Sequence, residues 1–325
     1  MARDHYVAQT YLRRFGDPGQ GFLMHGYLKF PIKDFACRPR NVCHEWDGDL
    51  NVEFMTNRPG LRGDFRAMCE PHWDSAVDRL LAAKLSNDDK LIIAQMAATF
   101  MTCTPAWRRI SVEIYSAFVK GGAVAGYDLT LKAGQTPEIE AEGIELLRSG
   151  RLKVETEPKF IEAKHTRNLL NHARLIYNQP WTVIHNGSDF PFVTSDNPLA
   201  MLSPNANGGV TRFLPITPQV CLEIPFVIDL EPDERKMVEF DLDKPPKGGI
   251  AYATISPQKA RAINRLTVQC AERLVLTTTP DDGVQKLVAK YATWGIDQEF
   301  VEFPAVGENA VYQGTIVRVR ERKAA

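Results

Sequence analysis

The sequence has few cysteines, no long hydrophobic run and no excess of charge of either sign. Its six cysteines are spread over 325 residues without a compact framework, so we expect reduced thiols and no disulfide-linked partner. The longest apolar stretch, 91–101, contains Gln95 and is too short to cross a bilayer. The first residues lack the apolar core of a secretory signal. We therefore predict a cytoplasmic protein without membrane contact.

The charge balance argues against a chain that is basic overall. The 39 Lys and Arg residues against 40 Asp and Glu residues give a net charge of −1, which excludes a global positive field for nucleic acid. A nucleic-acid enzyme would need a local basic patch instead. Such runs are more often solvated surface. The candidate runs are Arg13 with Arg14, Arg108 with Arg109, and 318–323.

Several common site motifs are also absent. The sequence has no Walker loop, Gly-x-Gly-x-x-Gly, nucleophile elbow or Cys-x-x-Cys pair, so a phosphate cradle or dinucleotide fold of the usual kind is poorly supported. One irregularly spaced set of soft ligands is a candidate zinc site, although packing is the simpler explanation of Cys69. The set consists of Cys37, Cys43, His44, Cys69 and His72.

The hydrophobic period changes along the chain. Residues from about 64 to 178 have helical spacing, with a capping box at Ser86 and Asp89 and a predicted helix end at Gly121 and Gly122, followed by a loop at 126–137. Short β-type runs dominate from about 179 to 325, and 1–60 is mixed. We predict an α+β fold in a single domain, 1–325, with a central helical block packed on a mainly antiparallel sheet.

A polar segment follows the apolar run 190–193. Pro198 prevents a strand from continuing, so Asp196 is held on a turn at a strand end, with Ser195 and Asn197 beside it. One interpretation makes Asp196 a working carboxylate. The other makes these side chains hydrogen-bond partners of their own turn. Asn264, in a helix predicted to start at Ser256 and Pro257, is expected to bind a buried backbone group.

The N-terminal segment carries the second polar group. His5 precedes a short amphipathic helix predicted from the four-residue apolar repeat in 7–15, with Gln9 and Arg13 nearby. Histidine is suited to proton transfer near neutral pH, and arginine to a phosphate oxygen. Alternatively, His5 caps the helix or lies on a frayed terminus. We hypothesise that His5 and Asp196 meet in the fold as acid/base partners.

These segments together resemble a known family. The opening is similar to the His-Tyr-Val-Pro-Gln start of a widespread bacterial family, domain of unknown function 4238, and the resemblance covers most of the chain. Ala8 replaces the usual proline, and Cys103 stands where an arginine is frequent. The resemblance implies no established activity. The matching segments are 5–15, 41–45, Thr104 with Pro105, Trp181, 194–198, Ile263 with Asn264, and 271–273.

The residue types favour a hydrolase acting on phosphodiesters, with nucleic acid or a nucleotide as partner. In this hypothesis His5, Asp196 and Asn197 are catalytic, while Gln9, Arg13 and Ser195 bind the substrate. Asp196 would act either as a base, in a histidine-assisted reaction, or as the ligand of a divalent metal ion, which is the candidate cofactor. The alternative is a non-enzymatic binding or sensor module, in which the N-terminal motif and 194–198 are structural. The identity of any metal stays open at this point.

Overall fold

The computed structural model describes residues 3–46, 61–137, 139–203, 209–226, 245–303 and 312–322. No helix in these ranges has the length and hydrophobicity that a bilayer crossing requires. The helices of these ranges are α1 Gln9–Arg13, α2 Leu61–Leu81, α3 Asn87–Cys103, α4 Pro105–Lys132, α5 Ala141–Arg148, α6 Pro158–Asn178, α7 Pro257–Cys270 and α8 Asp282–Lys290.

Most strands are short. They are β1 Arg3–His5, β2 Met24–Leu28, β3 Lys33–Cys37, β4 His44–Trp46, β5 Trp181–Asn186, β6 Thr194–Ser195, β7 Ala200–Met201, β8 Val210–Thr217, β9 Val220–Phe226, β10 Ile250–Ile255, β11 Leu274–Thr277, β12 Trp294–Phe303 and β13 Tyr312–Glu321.

The described strands form two sheets and two isolated pairs. One sheet has the order β10-β5-β9-β8-β7 and the other β3-β2-β11-β6, while β1 pairs with β4 and β12 with β13. Within the described ranges only β5 and β10 run parallel. The predicted α+β fold with mainly antiparallel pairing is confirmed, but the strands expected in one sheet are divided between two.

The helical block covers one face of the five-stranded sheet. Because side chains alternate along a strand, Trp181 of β5 and Leu214 of β8 pack with Trp73 of α2 and Phe100 of α3. The opposite face packs on α7 through Ile263. The sheet is therefore buried on both faces, which accounts for the continuous burial of 212–217.

The predicted capping box opens α3. Ser86 Oγ accepts the Asp89 N–H at 3.2 Å, and Asp89 Oδ2 accepts the Ser86 N–H at 3.0 Å. The same carboxylate pairs with Arg79 of α2 at 2.5 Å, so it also fixes the turn between the two helices. The predicted start of α7 is confirmed as well, with Ser256 as the N-cap and Pro257 in the first turn.

The predicted helix end at Gly121 and Gly122 is wrong. Helix α4 continues to Lys132, through most of the predicted loop at 126–137. Each glycine lowers the stability of a helix by about 1 kcal/mol relative to alanine. This cost is too small to end a helix that is stabilised by packing on other helices. Here α4 packs on α5 and α6, and these tertiary contacts outweigh the local preference.

Replacing Ser86 by alanine tests the capping box. We expect Ser86→Ala to lower the free energy of unfolding by about 1 kcal/mol, because the Asp89 N–H loses its acceptor. Urea denaturation followed by circular dichroism measures the change. Ser149→Ala, which removes an exposed hydroxyl after α5, is the control and should cost less than about 0.5 kcal/mol. Equal losses in the two variants would contradict the assignment.

Candidate functional site

Asp196 lies immediately after β6 and is 1% exposed. Its Oδ1 accepts the N–H of Glu272 at 2.9 Å, and its Oδ2 accepts the N–H groups of Arg273 at 2.8 Å and Leu274 at 3.1 Å. The first two amides belong to the turn between α7 and β11, and the third is that of the first residue of β11. Burial raises the pKa of Asp196 to about 6, while the hydrogen bonds from Arg273 and Glu272 act in the opposite direction. The carboxylate thus serves as a backbone acceptor.

Lys29 binds the same turn from the other side. It lies immediately after β2 and is 1% exposed, and its Nζ donates to the carbonyl groups of Val268 at 3.0 Å, Ala271 at 2.9 Å and Trp294 at 2.5 Å. Val268 lies in the last turn of α7, whose carbonyls lack helical partners, and Ala271 directly follows the helix. We call residues 271–273, between α7 and β11, the connector. Asp196 binds its N–H groups and Lys29 binds carbonyls at its start.

The rest of the 194–198 segment is also bonded internally. Asn197 Nδ2 donates to the Cys270 carbonyl at 2.9 Å, its Oδ1 accepts the Thr104 hydroxyl at 3.3 Å, and its N–H donates to Ser195 Oγ at 3.1 Å. Both residues are fully buried. Asn264 accepts the Val193 N–H and donates to the Pro191 carbonyl, which confirms its predicted role.

The N-terminal motif meets this segment through Tyr11, not through His5. The Tyr11 hydroxyl donates to the Pro215 carbonyl at 2.7 Å and lies 2.7 Å from the Thr194 hydroxyl. Since the tyrosine proton is used by Pro215, Thr194 is the donor in the second bond. The two motifs therefore come together, as expected, but the contact joins an aromatic hydroxyl to a threonine.

The structure does not bring His5 and Asp196 into contact. β1 pairs His5 with His44, their rings lie edge to face at 5.4 Å, and Gln9 Nε2 lies 3.4 Å from His5 Nδ1. His5 is 7% exposed, and its Nε2 and the Nδ1 of His44 are enclosed without hydrogen-bond partners. Burial, then the charges of His44 and Arg66, lower the pKa of His5 to about 4. The ring is therefore neutral at pH 7, and the proposed acid/base pair is not formed.

A basic cleft opens beside His5. Gln9 and Arg13, one turn apart on α1, face Arg38 and Arg40 across a volume of about 250 Å³. Among the described residues, none of the three guanidinium groups has a carboxylate partner. Arg13 lies over the ring of Phe22 at 5.7 Å, and the arginines are exposed. We call this group the arginine cleft; Gly21, Phe22 and Pro39 complete its lining.

The other candidate basic residues are neutralised by ion pairs. Arg14, adjacent to Arg13 in sequence, binds Asp74 and Asp78 of α2. The remaining pairs are Arg108 with Glu45, Arg109 with Glu272 and Glu113, Arg318 with Glu299, Arg320 with Asp297, and Arg322 with Glu272. Of the predicted basic runs, only Arg13 remains available to an anionic ligand within the part of the chain described above.

Residues 3–281 match the family model described as "Protein of unknown function (DUF4238)". The chain belongs to the DUF4238 family. No curated protein and no solved structure matches it. The matched DUF4238 region contains the arginine cleft, Lys29, Asp196 and the connector, and it ends before the β12–β13 pair. Both the buried polar network and the cleft are therefore parts of the family domain.

The candidate zinc ligands of this DUF4238 chain do not converge. All six cysteines are free and buried, and burial raises the pKa of the Cys37 thiol to about 11 and that of Cys69 to about 12. Across the described ranges, no three His, Cys, Asp or Glu side chains are grouped so as to hold a metal ion. The thiols are packing residues in this fold.

Sequence reasoning missed Lys29, Arg38 and Arg40. The signal for the arginines is the Arg38-Pro39-Arg40 spacing, in which a 3₁₀ turn that starts at Pro39 sets both side chains on one rim. Lys29 follows an apolar strand and had no polar neighbour in sequence to draw attention to it. Its role depends on α7, more than 230 residues later, and no local pattern reports it.

The connector network predicts a stability defect. Asp196→Asn replaces one acceptor oxygen with an amide nitrogen that faces a backbone N–H, and it removes the charge near Lys29. We expect the free energy of unfolding to fall by about 3 kcal/mol, measured by urea denaturation. Asp189→Asn, at an exposed aspartate in the same β5–β6 region, should change it by less than about 0.5 kcal/mol. A stable Asp196→Asn variant would show that the carboxylate is not structural.

His5 predicts a pH dependence of stability. Its pKa falls from 6.5 to about 4 on folding, so the unfolded chain binds more protons between these values. The contribution of the neutral ring is complete above pH 6.5 and is lost as the pH falls towards 4. We expect His5→Asn to flatten the slope of unfolding free energy against pH in this interval. His72→Asn, at an exposed histidine, is the control, and an unchanged slope in His5→Asn would contradict the prediction.

Proposed function

We propose that this chain is a binding module for a phosphorylated ligand, most simply a nucleotide, which it holds in the arginine cleft. The observation that carries the proposal is the convergence of Arg13, Arg38 and Arg40 without a carboxylate partner among the described residues. Arginine presents several N–H donors in a planar fork, which suits phosphate oxygens. Gln9 adds a neutral amide to the same wall.

The size and surroundings of the cleft favour a short phosphate chain over a nucleic-acid tract. A volume of about 250 Å³ accommodates a diphosphate, and three positive charges match a polyanion. Phe22, 36% exposed at the rim, offers a ring on which a base can stack. A long nucleic acid would need further basic surface, and the other arginines of the predicted runs are ion-paired. A nucleotide ligand also agrees with the cytoplasmic location expected from the sequence.

In this proposal the 194–198 segment is structural and supports the cleft at a distance. Tyr11 binds Thr194 from the buried face of α1, while Gln9 and Arg13 extend from the other side of the same helix. The helix is thereby fixed at the position where its polar residues face Arg38 and Arg40. This corresponds to the binding or sensor alternative drawn from the sequence.

Hydrolysis is the second candidate, and one observation favours it. His5 Nε2 is enclosed without a hydrogen-bond partner, and Gln9 connects the imidazole with the cleft. The neutral imidazole has a ring nitrogen that can accept a proton, although its pKa of about 4 makes it a weak base. Release of inorganic phosphate from ADP, abolished by His5→Gln while nucleotide binding persists, would support this candidate over simple binding.

Nucleotide binding is tested with a fluorescent ADP analogue, mant-ADP. We expect saturable binding that weakens as salt rises, and about a tenfold loss of affinity in each of Arg13→Ala, Arg38→Ala and Arg40→Ala, because each removes a charged hydrogen bond. Arg14→Ala is the matched control: its guanidinium is held by Asp74 and Asp78. It should retain affinity within about twofold.

Two further outcomes decide the proposal. Adenosine, which lacks phosphates, should not compete with mant-ADP. Competition by adenosine at similar concentration would contradict phosphate recognition, as would equal losses of affinity in Arg14→Ala and Arg38→Ala.

A further inference from the structure

A further arginine is buried with no counter-charge among the described residues. Arg212, on β8, is 8% exposed, and its Nε and Nη1 are enclosed without hydrogen-bond partners. It forms no ion pair within the described ranges. The titratable group there that affects the pKa of Arg212 is the thiol of Cys270. Arginines this deeply buried are normally paired with a carboxylate or with several carbonyl groups.

Two aromatic rings enclose this guanidinium. Its Cζ lies 5.1 Å from the ring of Trp107, at the start of α4, and 5.2 Å from the ring of Phe226 on β9. The pairing of β8 with β9 sets Arg212 opposite Ile224, so Phe226 is a neighbour on the same face of the sheet. Trp107 Nε1 is also enclosed without a hydrogen-bond partner. The site therefore presents N–H donors from two residues, and none of the described residues supplies an acceptor for them.

The rings do not replace a counter-ion. A desolvated cation–π contact contributes less free energy than burying an ion costs, even after the protein relaxes. Burial lowers the pKa of Arg212 to about 10, so the side chain is still charged at neutral pH. Within the part of the chain that the structure describes, Arg212 thus keeps its charge with unused donors, an arrangement typical of a ligand site that gives up stability for binding.

We propose that Arg212, Trp107 and Phe226 form a second ligand site, which takes a monoanionic carboxylate attached to a flat apolar group. The single positive charge matches one negative charge. A phosphate dianion would leave one charge uncompensated in a buried site, which is unfavourable. The arginine cleft, with its three exposed arginines, is instead suited to a ligand with several negative charges. The two sites share no residue, and this inference does not depend on the proposed nucleotide site.

The test uses benzoate as the probe and benzamide as its uncharged counterpart. Isothermal titration calorimetry should detect benzoate binding to the wild-type protein and none of benzamide or inorganic phosphate at this site. Arg212→Met should weaken benzoate binding by more than about 100-fold. The Tm of unliganded Arg212→Met should equal or exceed that of the wild type, because an uncompensated buried charge is removed. A wild-type protein that does not bind benzoate, or binds benzamide equally well, overturns the proposal.

Further variants separate a ligand site from a structural arginine. Trp107→Phe keeps the ring and removes only the N–H, and it should reduce benzoate affinity about fivefold with little change in Tm. If Arg212→Met fails to fold, Trp107→Phe decides: unchanged benzoate affinity overturns the proposal. Arg38→Ala is the control from the arginine cleft and should leave benzoate binding unchanged. Weaker mant-ADP binding in Arg38→Ala, together with unchanged benzoate binding, would show that the two sites bind their ligands independently.

Discussion

The connector between α7 and β11 is the place on which the rest of the fold depends. This turn is partly buried, and its enclosed N–H and carbonyl groups need partners, since each unpaired group costs free energy. Here a carboxylate and an ammonium supply them: Asp196 accepts from 272–274, and Lys29 donates to carbonyls of 268 and 271. The two side chains follow β6 and β2, the two neighbours of β11 in its sheet. Since both strands run antiparallel to β11, both end beside the start of β11, where the connector ends.

A chain of contacts links the connector to the arginine cleft. Thr194, two residues before Asp196, binds the Tyr11 hydroxyl, and Tyr11 is the buried centre of α1. A helix of five residues has little stability of its own, so its position comes from such tertiary contacts. Gln9 and Arg13 on this helix then face Arg38 and Arg40. In the proposed function, Thr194 thereby helps set the geometry of the cleft without touching the ligand, and the polar motif has a structural role.

The sequence predicts local features of this protein well and distant pairings poorly. The capping box at Ser86 and the N-cap at Ser256 depend on residues within three positions of each other, and Asn264 was recognisable as a polar residue among apolar ones. The partners of Asp196 could not be recognised in this way, because they are backbone amides, which carry no sequence signal. Which arginines are neutralised depends on carboxylates such as Glu272 that lie far along the chain, so only the fold distinguishes Arg13 from its paired neighbours.

The two proposed anion sites differ in the free energy that they cost the protein when they are empty. The arginines of the cleft are exposed, so water and salt screen their charges. The empty cleft therefore costs the fold little free energy. Its affinity should accordingly fall as salt rises. Arg212 is enclosed by Trp107 and Phe226, where screening is weak, so its desolvation is a constant penalty until an anion arrives. An anion that enters there relieves the penalty and stabilises the fold directly, because it binds between the helical block and the sheet. Occupancy of the buried site is therefore coupled to folding more strongly than occupancy of the cleft.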